Sequence, residues 1–189
     1  MRADFQNAGV AYPPKQVALV GLKAEQQLQV YCSDRTGSQR FICSYPILAA
    51  SSYPGPKLHE GDGQVPEGIY PIESLNPNSS FHVSLRVGYP NAFDKAQANK
   101  EGRTNLGGDI MIHGGAASVG CLAMGDEVSE NLFTLAADVG IENVSVILAP
   151  VDFRSGKTIP KQVKLPPWTE SLYAEIKIRL AELPLEVSK

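Results

Sequence analysis

IMIHGGAASVGCLAMGD, residues 110–126, sets one of only three histidines, His113, eight positions before one of only three cysteines, Cys121, with glycines on both sides. The apolar approach to His113 reads as a buried strand that stops at Gly114 and Gly115, and Leu122 opens a second strand after a turn. Such a turn can bring a strand-terminal histidine and a strand-initial cysteine to one sheet edge, within hydrogen-bond reach. Three readings stand at this point: a catalytic pair, half of a metal site, or a structural strand–turn–strand.

The catalytic reading has a physical basis. A free thiol titrates near pH ~8.5, so a nucleophilic cysteine at neutral pH needs a base or a positive field beside it. His113 is the nearest base in sequence. Gly120 lets backbone approach an acyl group, the N–H groups of 120 and 121 are candidates for an oxyanion, and Ser118 either orients the loop or bonds the substrate. Buried cysteines are ordinarily inert packing groups, and spacing alone does not decide. A zinc site from His113, Cys121, His82 and Asp109 is chemically sound but matches no common ligand spacing.

Working outward, the flanking sequence predicts a mainly β domain with peripheral helices, an α+β fold. Upstream, QVALVGLKAEQQLQVYC reads as a hairpin whose Leu28, Val30 and Cys32 alternate like a half-buried strand. DRTGSQ (34–39) turns, and RFICSYPILAA returns as a third strand. Residues 51–68, SSYPGPKLHEGDGQVPEG, hold three prolines and four glycines and form a long loop of the kind that often carries function. IYPIESL is a strand, NPNSS a turn, and FHVSLRVGYP alternates again, with Phe81, Val83, Leu85 and Val87 on one face and His82, Ser84 and Arg86 on the other. NAFDKAQANKEGRTNLGG is polar, with one short helical turn.

Downstream, GDEVSENLFTLAADVG places Val128, Leu132, Leu135 and Val139 at helical spacing and ends on Gly140. NVSVILAP is a further strand. The last helix has Thr169 as its expected N-cap and Leu172, Ile176, Leu180 and Leu183 on one stripe. The chain divides into a domain over residues 1–154 and an extension, 155–189, carrying that amphipathic helix.

The 189 residues carry 43% hydrophobic and 20% charged side chains, an ordinary globular balance. Seventeen Lys and Arg against 20 Asp and Glu give a net charge of -3, dispersed along the chain, which argues against a nucleic-acid partner. The apolar run VALVGL (17–22) is far shorter than a membrane span and lacks a preceding basic segment, so no signal peptide or transmembrane segment is expected. Cys32 and Cys43 are open to a disulfide or, more ordinarily, to two buried thiols.

Together with GPKLHEGDGQVPEGIYPI (55–72) and HVSLRVGYPNAFD (82–94), the 110–126 stretch resembles the L,D-transpeptidase catalytic domain (YkuD-like) family, and within it the YafK-like branch. The resemblance spans about residues 15–154. It implies a YkuD-like sandwich or barrel of mixed sheets, in which a cysteine is acylated by a peptidoglycan stem peptide at the L-centre of a diaminoacid. No cofactor and no metal are implied. By position Cys121 is the nucleophile, His113 the base, Gly114 the residue whose backbone orients the histidine, and Ser118, Gly120 and Cys121 the serine, glycine and cysteine of the family's S-H-G-C segment.

Two departures bear on the reaction. The family's second histidine is Val119 here, and its arginine two residues past the cysteine is Ala123. The branch includes a hydrolase that releases a lipoprotein from peptidoglycan, so transpeptidase, L,D-carboxypeptidase and endopeptidase all stand, with stem peptides, muropeptides or a peptidoglycan-linked protein as partners. A binding module that keeps the fold without catalysis is the competing reading. The resemblance places His82 near the active site, in contact with substrate or in a structural hydrogen bond. Lys57 is either a mobile charge for a substrate carboxylate or an ordinary surface lysine, Arg86 and Arg103 are weaker candidates of the same type, and His59 is a solvated loop residue. A cell-envelope location is expected for a chain whose leader was removed before residue 1, and a cytoplasmic one for a complete product.

Overall fold

The computed structural model describes residues 1–51 and 53–185. The chain runs α1 (Arg2–Asn7), β1 (Val17–Leu22), β2 (Gln27–Ser33), β3 (Gln39–Pro46), β4 (Gly68–Ser79), β5 (His82–Val87), α2 (Ala92–Lys100), β6 (Met111–His113), β7 (Leu122–Ala123), α3 (Asp126–Val139), β8 (Val144–Ala149) and α4 (Thr169–Ala181). The strands form one ladder in the order β3-β2-β1-β8-β4-β5-β6-β7. β1 runs parallel to β8 and β6 to β7; the other pairs are antiparallel.

The long strand β4 turns this ladder into a barrel-like wall. Its first residues, Gly68 to Pro71, pair with β8, whereas Ile72 onward pair with β5 across two register shifts. Such shifts bend a strand and increase its twist. The wall closes where the chain leaves β3: Leu48 N–H donates to Ala123 O (2.8 Å) and Ala123 N–H to Ala49 O (3.0 Å). The expected mixed-sheet β domain with peripheral helices is therefore the observed architecture.

Period-two alternation divides the sheet's side chains between two cores. Val17, Leu19, Leu28, Val30, Val146 and Leu148 point inward with Leu85, Ile112 and Leu122, and α3 adds Leu132, Leu135 and Ala136. Ala18, Val20, Leu22, Tyr31, Ile147 and Ala149 point outward and are covered by Leu172, Tyr173, Ile176 and Leu180 of α4. β2 is consequently buried on both faces, where alternation predicted half burial. An exposed stripe and a helix-covered stripe differ in what packs on them, which the strand's own sequence does not encode.

Other local expectations are also corrected. NPNSS continues β4, and the reversal is made by Ser80 and Phe81 between Ser79 and His82. His82 has φ 73, which breaks the alternation: Phe81 is 52% exposed rather than in the apolar stripe, and Ser84 is buried. The single helical turn is a nine-residue helix, α2, started by a capping box in which Asn91 and Asp94 exchange side-chain-to-backbone hydrogen bonds at 3.0 Å. Thr169 is the first helical residue, not the cap, and its hydroxyl donates to Pro166 O at 2.7 Å. Cys32 and Cys43 are free thiols, because in the β2–β3 ladder they face Arg40 and Val30 and not each other.

Candidate active site

β6 and β7 are short, and their register sets the site. Ile112 pairs with Leu122 and His113 with Ala123. Ile112 and Leu122 enter the inner core at 0% and 1% exposure, so His113 and Cys121, one residue out of phase, project from the opposite face. The histidine and cysteine are diagonal neighbours on that face, without the hydrogen bond between them that a catalytic pairing expected.

His113 is held in one orientation. Its Nδ1 lies 2.6 Å from Gly114 O, so Nδ1–H donates to that carbonyl and Nε2 keeps its lone pair. Phe81 covers the ring, with centroids 4.8 Å apart. Gly114 N–H donates to Phe81 O (3.0 Å), and Gly115 N–H to the Asp126 carboxylate (2.8 Å). A Cβ on Gly114 would lie 2.6 Å from Asp126 Oδ1 and 2.8 Å from Phe81 O, so no other residue fits there unshifted.

Cys121 is tied into its turn. Its N–H donates to Ser118 Oγ at 2.9 Å, so Ser118 orients this turn and the Cys121 N–H expected in the oxyanion pair is engaged here. Gly120 N–H has no acceptor among the described residues. Gly120 is at φ 87, a left-handed conformation that glycine adopts freely, and it packs against Gln64 O. The thiol accepts from Met111 N–H (3.3 Å) and donates to Asp109 O (3.5 Å). Among the described residues the thiol and the imidazole are not bonded to one another.

Burial pushes the Cys121 thiol above its ordinary pKa, opposed by the Met111 N–H and by the positive charge of Lys57, while Asp109 adds to the rise. The resting group is a protonated thiol. Lys57 departs from both expectations: it is 6% exposed, neither a surface lysine nor a mobile arm. Its ammonium bonds Asp62 Oδ1 (2.7 Å) and His59 O (3.0 Å). Asp62 also accepts the N–H groups of Leu58, His59 and Gln64; although burial works against them, these donors and Lys57 hold its carboxyl below the usual range.

The remaining candidates are occupied elsewhere. His82 Nε2 lies 2.5 Å from Glu130 Oε1 on α3, the structural alternative for that residue. Arg86 pairs with Glu73 (3.3 Å) and with Asp109 (2.8 Å), and Arg103 with Glu101 and Leu58 O, both at 2.7 Å. His59 is exposed, with Nδ1 3.0 Å from Glu60 O. The supposed ligands His113, Cys121, His82 and Asp109 do not converge, and among the described residues no three His, Cys, Asp or Glu form a metal-holding group. Val119, in place of the second histidine, is 85% exposed, and Ala123, in place of the arginine, is fully buried.

Sequence reasoning missed Asp62, Phe81 and Asp126. Asp62 had a local signal, an aspartate between two glycines, the composition of a side-chain-stabilised turn. Phe81 and Asp126 had none, since their roles arise from the β4–β5 reversal and the start of α3 meeting at Gly114.

The L,D-transpeptidase catalytic domain (YkuD) family model matches residues 16–148, the span that builds the barrel and both site strands. The chain belongs to this family. YafK of Escherichia coli (strain K12), provisionally named an L,D-transpeptidase, is 34% identical over 134 residues, 68% of this chain and 51% of that protein. The chain thus spans about half the length of this curated relative. Among solved structures, the helical cell shape determining protein Pgp2 of Campylobacter jejuni superposes on 73% of this chain and 49% of its own, with TM-score 0.55 and 27% identity. Bd1075 of Bdellovibrio bacteriovorus, 18% identical with TM-score 0.51 over 91% of this chain and 55% of its own, shares the fold.

Proposed function

We propose that this L,D-transpeptidase-family domain is a cysteine acyltransferase acting on peptidoglycan stem peptides at the L-centre of a diaminoacid. The observation that carries the reading is the shared face of His113 and Cys121, with Nδ1 of the histidine engaged by Gly114 O and Nε2 free. Since the resting thiol is protonated, His113 acts as a general base in the attack itself. The step requires the Cys121 thiol to leave Asp109 O for Nε2. The proton passes to Nε2 as sulfur bonds to the substrate carbonyl carbon, and the unpaired Gly120 N–H is the donor available to the resulting oxyanion. The C–N bond then breaks, the departing amine takes the proton from His113, and a thioester remains on Cys121. Water converts it to a carboxylate, giving a carboxypeptidase or endopeptidase; an amine converts it to a new amide, giving a transpeptidase. Cross-linked peptidoglycan as substrate fits an envelope location, and recycled stem-peptide fragments fit a cytoplasmic one.

The exposed Val119 and the buried Ala123 support a second reading, a peptidoglycan-binding module without turnover. Mass spectrometry separates the two. Wild type, Cys121→Ala and His113→Gln are incubated with diaminopimelate-containing muropeptides, with and without a D-amino acid. Loss of a terminal D-residue, or incorporation of the added one, by wild type alone supports the enzyme. Muropeptides retained but unchanged by all three support the module.

A further inference from the structure

Two hydrogen-bonded chains, one from α4 and one from Trp168 just before it, end on either side of Lys57. In the first, Tyr173 O–H donates to Glu67 Oε2 at 2.7 Å. Glu67 Oε1 accepts the Gly55 N–H (2.8 Å) and the Lys23 ammonium (3.0 Å). Lys23 donates further to Gly55 O (2.9 Å), Val65 O (3.1 Å) and Gln64 Oε1 (3.2 Å). In the second chain, Trp168 Nε1–H donates to Glu101 Oε1 (2.7 Å), Glu101 Oε2 accepts Arg103 (2.7 Å), and Arg103 Nη1 donates to Leu58 O (2.7 Å).

Both chains converge on the segment that carries the Lys57 ammonium, whose charge bears on Cys121. The first chain also holds Gln64, whose carbonyl packs against Gly120. The apolar stripe of α4 already fastens that helix to the sheet. An ion pair as deeply buried as Lys23–Glu67, at 2% and 0% exposure, adds little net stability over apolar packing, but it specifies geometry. Residues 53–67 contain no helix or strand, so side chains must fix their backbone.

We propose that Glu67, Tyr173, Arg103 and Trp168 are positioning residues that hold the loop carrying Lys57 against the Gly120 turn beside Cys121, making the C-terminal helix part of the catalytic unit. Trp168 and Tyr173 lie beyond the family-matched residues 16–148. The proposal rests on Cys121 being the nucleophile, and its test needs no substrate.

The full chain, Tyr173→Phe, Trp168→Phe, the double variant and Lys57→Met are alkylated with iodoacetamide from pH 6 to 10, and labelling of each cysteine is followed by peptide mass spectrometry. Below its pKa a thiol reacts in proportion to its thiolate fraction. The double variant is expected to label Cys121 roughly threefold more slowly near neutral pH, with its profile displaced upward as in Lys57→Met. Adding Lys57→Met to the double variant should slow it no further. A wild-type profile in the double variant, faster labelling of Cys121, or an unchanged profile in Lys57→Met overturns the proposal. So does labelling of buried Cys32 in step with Cys121, which marks general loosening. Failure of the nucleophile assignment reads differently: Cys121→Ala would then keep its activity on muropeptides whatever the labelling profiles show.

Discussion

Lys23→Met removes the ammonium from a pocket where four acceptors surround it: Gly55 O, Val65 O, Gln64 Oε1 and Glu67 Oε1, all within 3.2 Å. Glu67, fully buried, keeps the Gly55 N–H and the Tyr173 hydroxyl but loses its counter-charge. Breaking a buried pair from one side costs about 3–5 kcal/mol, and the two surviving donors place this case near the lower end. For a chain of this size about 3 kcal/mol lowers Tm by roughly 6–12 °C. Glu67→Gln leaves the opposite charge stranded and should cost a similar amount. The double variant, with neither charge, should be at least about 1 kcal/mol more stable than the sum of the two losses. Urea unfolding followed by circular dichroism gives all four corners of the cycle. A Lys23→Met cost under about 1 kcal/mol at unchanged m-value, or strict additivity, would refute the description of Lys23–Glu67 as a coupled buried pair.

Gly114→Ala drives a methyl to 2.6 Å from Asp126 Oδ1 and shifts the carbonyl that holds His113, so it should cost about 1–3 kcal/mol in urea and lower kcat on muropeptides roughly 10- to 100-fold. Equal kcat in the variant would separate the carbonyl from the imidazole's role. Burial lifts the Asp94 carboxyl to about 6, against the pull of the Asn91 N–H. A folded value above the unfolded one contributes stability in full below pH ~4 and loses it as pH rises through about 6, on the order of 2 kcal/mol. Asp94→Asn should flatten this fall in a series of urea midpoints from pH 4 to 8, and parallel slopes would contradict it. Native alkylation should label Cys121 ahead of Cys32 and Cys43, both raised by burial, Cys43 to about 11, and without a lysine beside them. Equal rates in native buffer, as in urea, would mean that the Lys57 charge has no effect on the thiol.

Much of this architecture was legible because strands declare their faces. VALVGL and NVSVILAP read as strands from their apolar, β-branched runs, and the 110–126 stretch showed a strand end through paired glycines. What alternation cannot report is the partner on each face, which explains the half-burial expected of β2. Phe81 failed for a local reason, the positive φ of His82, which turns it out of the stripe while Leu85 and Val87 stay in the core. At the site, residue identity was easier to read than hydrogen-bond allegiance. His113, Gly114, Gly120 and Cys121 lie at or beside the adjoining ends of β6 and β7, yet the Cys121 N–H belongs to Ser118 and Lys57 belongs to Asp62. Both commitments are made by turns whose geometry depends on several side chains at once.

The seam at Ala123 limits how a peptide can arrive. On one side the strand of the nucleophile is bonded to β6, and on the other to Leu48 and Ala49. It therefore offers no free edge to which an extended chain could add as another strand. Under the proposed function a peptide would come end-on, presenting its carbonyl past the tips of β6 and β7, between Phe81 and the loop held by Asp62. Selectivity would then lie in the width of that opening, and insertions or trims in the 57–64 loop should change which peptides enter while leaving the barrel intact.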